Sequence, residues 1–206
     1  MKTRDKILCL GLPPALTGAL AEAFGPQTEL LSPAAAGGAA DLVIFRSGDT
    51  LPPETSPALP RLGIDVQRPQ RLGALLRRCR QMMESPAFYI DDLQIGEALF
   101  QPQEKIIAAP DGTSAALTDK EVDILLCLAR HAGQTLRRED LLHRVWRYQS
   151  GVDTHTLETH VYRLRQKLSG LGGLENLLAT DEDGGYRLSS SVTAEAAAAA
   201  AAEGDG

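Results

Sequence analysis

At 206 residues, 43% of them hydrophobic, the chain suits one large or two small globular domains with a real apolar core. Its 21 Lys and Arg against 27 Asp and Glu leave a net charge of -6, which excludes a chain that coats nucleic acid indiscriminately and confines any nucleic-acid role to a local patch. No apolar run is long enough to span a membrane.

The start, MKTRDKILCLGLPPALTGALAEAFG, imitates a secretory signal, with Lys2, Arg4 and Lys6 ahead of an apolar run. Asp5 interrupts the basic region, and Pro13-Pro14 limits the unbroken run to six residues, Ile7 to Leu12. The element predicted is therefore a buried strand, and the compartment expected is the cytoplasm. Cys9, Cys79 and Cys127 stand far apart in apolar contexts with no CxxC spacing and read as reduced core residues.

Residues 6 to 83 follow βαβ grammar: KILCLGL, then PPALTGALAEAFG as a helix, then TELLS and DLVIFR as strands, then a helix from Arg71 to Met83. That last helix places Leu72, Leu75, Leu76, Cys79 and Met82 or Met83 on one face, with Arg71, Arg77, Arg78 and Arg80 on a solvated one. Between them RSGDTLPPETSPALPRLG, rich in Pro, Ser, Thr and Gly, reads as loop. Ser85-Pro86 marks a linker, so the expected division is a first domain over 1–84, a linker at 85–87, a second domain over 88–190 and an Ala-rich tail over 191–206.

The second domain opens with the short strand-like runs FYI, LQI, ALF, KIIAA and AAL, with Asp111-Gly112 as a hairpin turn. Thr118 and Glu121 form a capping box for a helix that buries Val122, Leu125, Leu126 and Ala129 and ends at Gly133. A second helix over Arg138 to Trp146 buries Leu141, Leu142 and Val145. A third, DTHTLETHVYRLRQKL, has Asp153 as its expected N-cap. NLLAT and GYRLS then read as a hairpin through Asp183-Gly184-Gly185.

The third helix carries the chemistry. At about 100° per residue, Leu157, Val161, Leu164 and Leu168 share one side, while His155, Thr159, Tyr162, Arg163 and Gln166 point the opposite way and Thr156, His160 and Lys167 flank them. His155 and His160 have a finger-like spacing, but no cysteine pair precedes them and their rings diverge by about 140°, so a metal site is not expected. HTLETH is not the HExxH of a metalloprotease, and no Ser-His-Asp or paired-carboxylate constellation stands out, so no enzyme and no cofactor is expected. What remains is a face of hydrogen-bond donors suited to a DNA groove, or an ordinary solvated face. Locally, residues 135–168 hold seven cations, Arg137, Arg138, Arg144, Arg147, Arg163, Arg165 and Lys167, against four acids, Glu139, Asp140, Asp153 and Glu158, an excess of positive charge in an acidic chain.

Taken in order, LTDKEVDILLCLARHAGQTLRREDLLHRVW, TLETHVYRLRQKL and LLATDEDGGYRL resemble the DNA-binding domain of the OmpR/PhoB family of response regulators, over about Phe88 to Leu188. The resemblance implies an α+β winged helix-turn-helix with THVYRLRQKL in the major groove and GGYRL as the wing. It would bring His155, Thr156, Thr159, Tyr162 and Arg163 to bases, and Trp146, His160, Arg165 and Lys167, beside Arg137 and Arg138, to phosphates or the groove edge. Trp146 has a second reading as a helix-end core residue. The wing departs from the family: Glu182, between Asp181 and Asp183, stands where a basic residue is usual, and three carboxylates would repel phosphates.

Residues 6–83 resemble a shortened α/β receiver domain with a mostly parallel sheet. The resemblance puts Arg46 at the phosphoacceptor position, Gly11 and Leu12 where the metal-holding acids belong, and Arg68-Pro69 at the Lys-Pro position. Without those carboxylates there is neither nucleophile nor oxygen cage for Mg²⁺. The implied protein is a cytoplasmic transcription regulator with an atypical receiver, acting on double-stranded DNA as a homodimer independently of aspartyl phosphorylation, with RNA polymerase or another regulator as further partners. The alternative is an adaptor that keeps the winged-helix scaffold with little DNA affinity, a reading supported by the acidic wing and the net charge.

Overall fold

The computed structural model describes residues 4–35, 40–68, 70–146 and 154–194, in two compact units divided between Ile90 and Asp91. In the first unit, β1 (Asp5–Leu10), β2 (Thr28–Leu31), β3 (Leu42–Arg46) and β4 (Arg61–Ile64) form a wholly parallel sheet in the order β2-β1-β3-β4. The unbroken apolar run of β1 follows from its central place, since a central parallel strand is buried on both faces. Ile7 and Cys9 face one way with Ile44, Leu62 and Ile64, against Leu20 of α1 (Pro14–Phe24) and Leu75, Cys79, Met82 and Met83 of α2 (Leu72–Glu84). Leu8, Leu10 and Val43 face the other way with Ala40 and Leu59, which come from connecting segments rather than helices. Burial pushes the Cys9 thiol up to about 11 and that of Cys79 to about 12, as expected of reduced core residues.

Two expectations for this unit are corrected. The loop read over RSGDTLPPETSPALPRLG ends in β4, whose residues alternate exposed and buried. Gly63 hides that alternation in the sequence, and a Cβ there would lie 3.0 Å from the Ser47 hydroxyl and 3.4 Å from the Phe45 ring, so two side chains of the neighbouring strand end crowd the position. Leu72, expected on the buried face of α2, is 36% exposed because it is the first residue of that helix.

The boundary differs too. Pro86–Tyr89 is a 3-10 turn rather than a linker and a strand; Pro86 is buried and Tyr89 packs against the core of the first unit. The second unit then opens with β5 (Leu93–Ile95), β6 (Ala98–Gln101), β7 (Ile106–Ala108) and β8 (Ser114–Ala116), an antiparallel meander. The turn at Asp111-Gly112 joins β7 to β8, with Gly112 at φ 84°. A fifth strand, β11 (Val192–Ala194), pairs with β5 and shortens the expected tail from its front end. Residues 195–206 lie outside the described residues, as do Arg147, Pro69 and the expected cap Asp153.

Helix α3 (Asp119–Arg130) starts at the capping box read from the sequence: the Thr118 hydroxyl accepts from the Glu121 amide at 3.4 Å, and Glu121 Oε2 accepts from the Thr118 amide at 2.7 Å. Helices α4 (Arg138–Trp146) and α5 (Thr154–Ser169) pack on it, with Leu141 and Val145 of α4 buried and Leu142 only half-buried. The hairpin of β9 (Leu178–Thr180) and β10 (Tyr186–Leu188) closes the unit, and Leu136 exchanges two 2.8 Å backbone hydrogen bonds with Tyr186. Among the described residues no helix is long and apolar enough to cross a membrane.

Candidate nucleic-acid interface

Helix α5 is amphipathic as its periodicity requires. Leu157, Val161, Leu164 and Leu168 are buried, and His155, Thr159, Tyr162, Arg163 and Gln166 lie exposed on the far side. Tyr162 is 63% exposed, high for an aromatic ring, and its hydroxyl accepts from Gln166 Nε2 at 2.8 Å. Thr159 donates to the carbonyl of His155 at 2.9 Å, which leaves its oxygen lone pairs outward. Arg163 makes no hydrogen bond or ion pair to another described residue, so its planar fork of donors is available.

The remaining sequence-predicted residues do different work. Arg138 Nε donates to the carbonyl of Gly184 at 2.9 Å and its Nη1 to Glu158 Oε1 at 2.7 Å. One guanidinium thus ties the start of α4 to the turn of the β9–β10 hairpin and to the N-terminal part of α5. Glu158 Oε2 lies 3.3 Å from His155 Nδ1, so the same carboxylate steadies the first turn of the donor face. Arg165 donates to the Leu178 carbonyl and to Thr180 Oγ1, at 2.6 Å for the latter, and stacks 5.9 Å from the Tyr186 ring. Lys167 Nζ is 2.7 Å from Glu121 Oε2 and donates to the Ala116 carbonyl at 2.8 Å. Three cations expected at phosphates are therefore spent on fixing the helix and the hairpin.

Trp146 is 7% exposed and holds to its core reading, with Lys120 5.4 Å from its ring and the His160 ring 5.5 Å away. Burial, opposed by the Glu121 carboxylate and helped by Arg163 and Lys120, holds the His160 imidazole below its ordinary value. A neutral ring brings one N–H donor but no charge to a phosphate. Thr156 is half-buried beside the donor face, and Arg137 is exposed ahead of α4.

At the hairpin tip Asp181 is turned inward, accepting from the Gly185 amide at 2.6 Å. Of the three carboxylates expected to face outward, only Glu182 and Asp183 do so. Gly184 has φ 77°, and a Cβ on Gly185 would lie 2.9 Å from the Leu136 carbonyl, so the paired glycines are what let the tip fold back against Leu136.

The strand ends of the first unit hold a feature that the sequence reading missed. Arg46 lies at the end of β3, and its Nε reaches both oxygens of Asp49, at 3.1 and 3.2 Å, while Nη2 lies 3.0 Å from Oδ1. Gly11, at φ 63°, sits directly beneath that carboxylate: a Cβ there would collide with Asp49 Oδ2. A carboxylate is thus present at this edge, supplied from three residues beyond the expected position, and the signal for it was the i, i+3 spacing in RSGD. It does not make a Mg²⁺ cage, because its oxygens are clasped by a guanidinium and Gly11 and Leu12 bring no oxygen side chain. Arg68 is exposed, with Nε 3.2 Å from Asp65.

Comparison with known proteins finds relatives by sequence and by structure. Residues 112–188 match the family described as transcriptional regulatory protein, C terminal. The regulatory protein VanRB of Enterococcus faecalis is 33% identical over 127 residues, 62% of this chain and 55% of its own length. The chain thus spans about half of that curated relative. The sensory transduction protein RegX3 of Mycobacterium leprae is 31% identical over 137 residues, 63% of this chain and 68% of its own length. Among solved structures, the DNA-binding domain of CadC from E. coli is 28% identical, with a TM-score of 0.45 over 50% of this chain and 95% of that one. With the match over residues 112–188 and with RegX3 31% identical and covered over 68% of its length, the chain belongs to the OmpR/PhoB-type family of response regulators.

Proposed function

We propose that the chain is a sequence-specific DNA-binding transcriptional regulator that acts without aspartyl phosphorylation, two copies reading half-sites about 10 to 11 base pairs apart or a multiple of that spacing. The observation that carries the reading is the exposed face of α5. Thr159, Tyr162, Arg163 and Gln166 present donors and acceptors on a helix whose other side is locked into a core, and whose ends are braced through Arg138, Arg165 and Lys167. A rigid helix with an exposed polar face is what base-edge recognition in a major groove requires. Selection from a random duplex library at moderate salt should enrich one motif with paired half-sites. Failure to enrich any sequence would favour the adaptor reading, to which the exposed Glu182 and Asp183 lend support.

Independence from phosphorylation rests on the Arg46–Asp49 pair. A carboxylate held by two guanidinium nitrogens is a poor nucleophile, and the metal that would gather a phosphoryl donor has no oxygen cage beside it. Incubation with acetyl phosphate and Mg²⁺ should leave the intact mass unchanged. A gain of one phosphoryl group on an aspartate would refute this part of the reading.

A further inference from the structure

The parallel sheet of the first unit stops at β4, which pairs only with β3 among the described residues. In that ladder the Val43 amide donates to the Pro60 carbonyl and the Ser47 amide to the Ile64 carbonyl. Strand groups alternate sides, so residues 60, 62 and 64 point inward and the amides and carbonyls of Arg61 and Gly63 point out from the open edge. Both residues are exposed. Beyond Gly63 the edge is closed, because the Asp65 carbonyl accepts from the Arg68 amide at 3.2 Å and the Asp65 carboxylate caps the Gln67 amide at 3.0 Å. What remains is a two-residue set of unpaired donors and acceptors with defined limits.

We propose that this edge pairs with itself: β4 of one copy lies antiparallel to β4 of a second copy, centred on Leu62. The inference deepens the two-copy reading above and rests on it. In that register Arg61 stands opposite Gly63 of the second copy, each pair exchanging two backbone hydrogen bonds. The two Arg61 side chains are kept apart, and each lies over a residue without a side chain. Beside Gly63 are the Ser47 hydroxyl and the rim of the half-buried Phe45 ring, 3.0 and 3.4 Å from where a Cβ would stand, so the apolar stem of the other copy's Arg61 would lie along the ring while its charge extends past it into solvent. The alternatives are worse. Centring on Arg61 sets like charges face to face, and centring on Gly63 needs the Asp65 carbonyl that Arg68 already occupies. Arg61 after Pro60 is the usual guard against indiscriminate edge pairing, and this register is the one in which the guard does not obstruct.

The register gives a direct test without DNA, so its outcome is independent of whether the protein reads a duplex. Directly opposed positions have Cα atoms about 5.5 Å apart, within reach of a disulfide, whereas position 61 to 61 or 63 to 63 is roughly 8 Å, beyond it. Full-length Arg61→Cys and Gly63→Cys are to be oxidised separately and as an equal mixture, with circular dichroism checking that each is folded. The mixture should give covalent dimer, approaching roughly half of all dimers by random exchange, while each variant alone stays monomeric on a non-reducing gel. Equal cross-linking in the separate samples, or none in the mixture, overturns the proposal. Arg61→Pro removes the outward amide at a position where proline is tolerated, the start of an edge strand, and should weaken self-association in sedimentation. Unchanged sedimentation would also overturn it.

Discussion

Lys167→Ala should lower the stability of the second unit by about 2 to 3 kcal/mol, somewhat less than the roughly 3 to 5 kcal/mol that breaking a fully buried ion pair costs. The cation was read from the sequence as a phosphate contact, but its ammonium lies 2.7 Å from Glu121 Oε2, and Glu121 is 1% exposed. Lys167 keeps about a third of its side-chain exposure, which places the cost below that of a fully buried pair. Burial pushes the Glu121 carboxyl up, but the hydrogen bonds from Lys167 and from the Thr118 amide outweigh it and hold the group below its ordinary 4.5. A folded-state value below the unfolded one contributes stability that is full above 4.5 and is lost as pH falls through the folded value. Without Lys167 two of the interactions that hold the carboxylate down are lost while the Thr118 hydrogen bonds remain, so burial weighs more on the charged form, and the penalty should be largest near about pH 7 and shrink toward about pH 4 as Glu121 protonates. Trp146, the single tryptophan, reports the unit's urea transition by fluorescence. In a Glu121→Gln background the same Lys167→Ala change should cost much less. A penalty independent of pH, or equal in both backgrounds, would mean that the pair is not what holds α5 to the cap of α3.

The sequence shows faces more readily than partners. Periodicity located the four buried leucine and valine positions of α5, and the capping box placed the start of α3, because both depend on residues within one or two turns. The donor face was legible for the same reason. What could not be seen was which cations would be spent internally. Arg138 meets Gly184 across 46 residues, and Lys167 meets Glu121 across the same separation, and no local spacing encodes such pairs. β4 was hidden by a different cause: Gly63 breaks the alternation that would announce a strand, and the side chains beside it, Ser47 and Phe45, come from the neighbouring strand and its end. Asp49 escapes a position-by-position match to the family because it lies three residues past the phosphoacceptor position, and only its salt bridge to Arg46 returns a carboxylate to the same edge.

Arg163→Ala should weaken binding to the selected duplex by roughly 5- to 150-fold, the range of about 1 to 3 kcal/mol for one good side chain to base contact, and relax preference at one base pair. The case turns on the contrast with its neighbours. Arg165, two residues on, is committed to Leu178 and Thr180, and Arg138 to Gly184 and Glu158, so neither can reach a base without releasing the hairpin. Arg163 is exposed and unpaired among the described residues, one turn beyond Thr159 and beside the exposed Tyr162 ring. A guanidinium there can offer two parallel donors to O6 and N7 of a guanine. The same residue acting on a phosphate would lose affinity for every duplex alike and reduce the dependence of binding on salt by about one unit of slope. Anisotropy titrations on the selected site, its single-base variants and a scrambled duplex separate the two. A loss confined to the selected site, with one position now degenerate, makes Arg163 a base reader. An equal loss on scrambled DNA would move base recognition to Tyr162, Gln166 and Thr159 and leave Arg163 as an anchor.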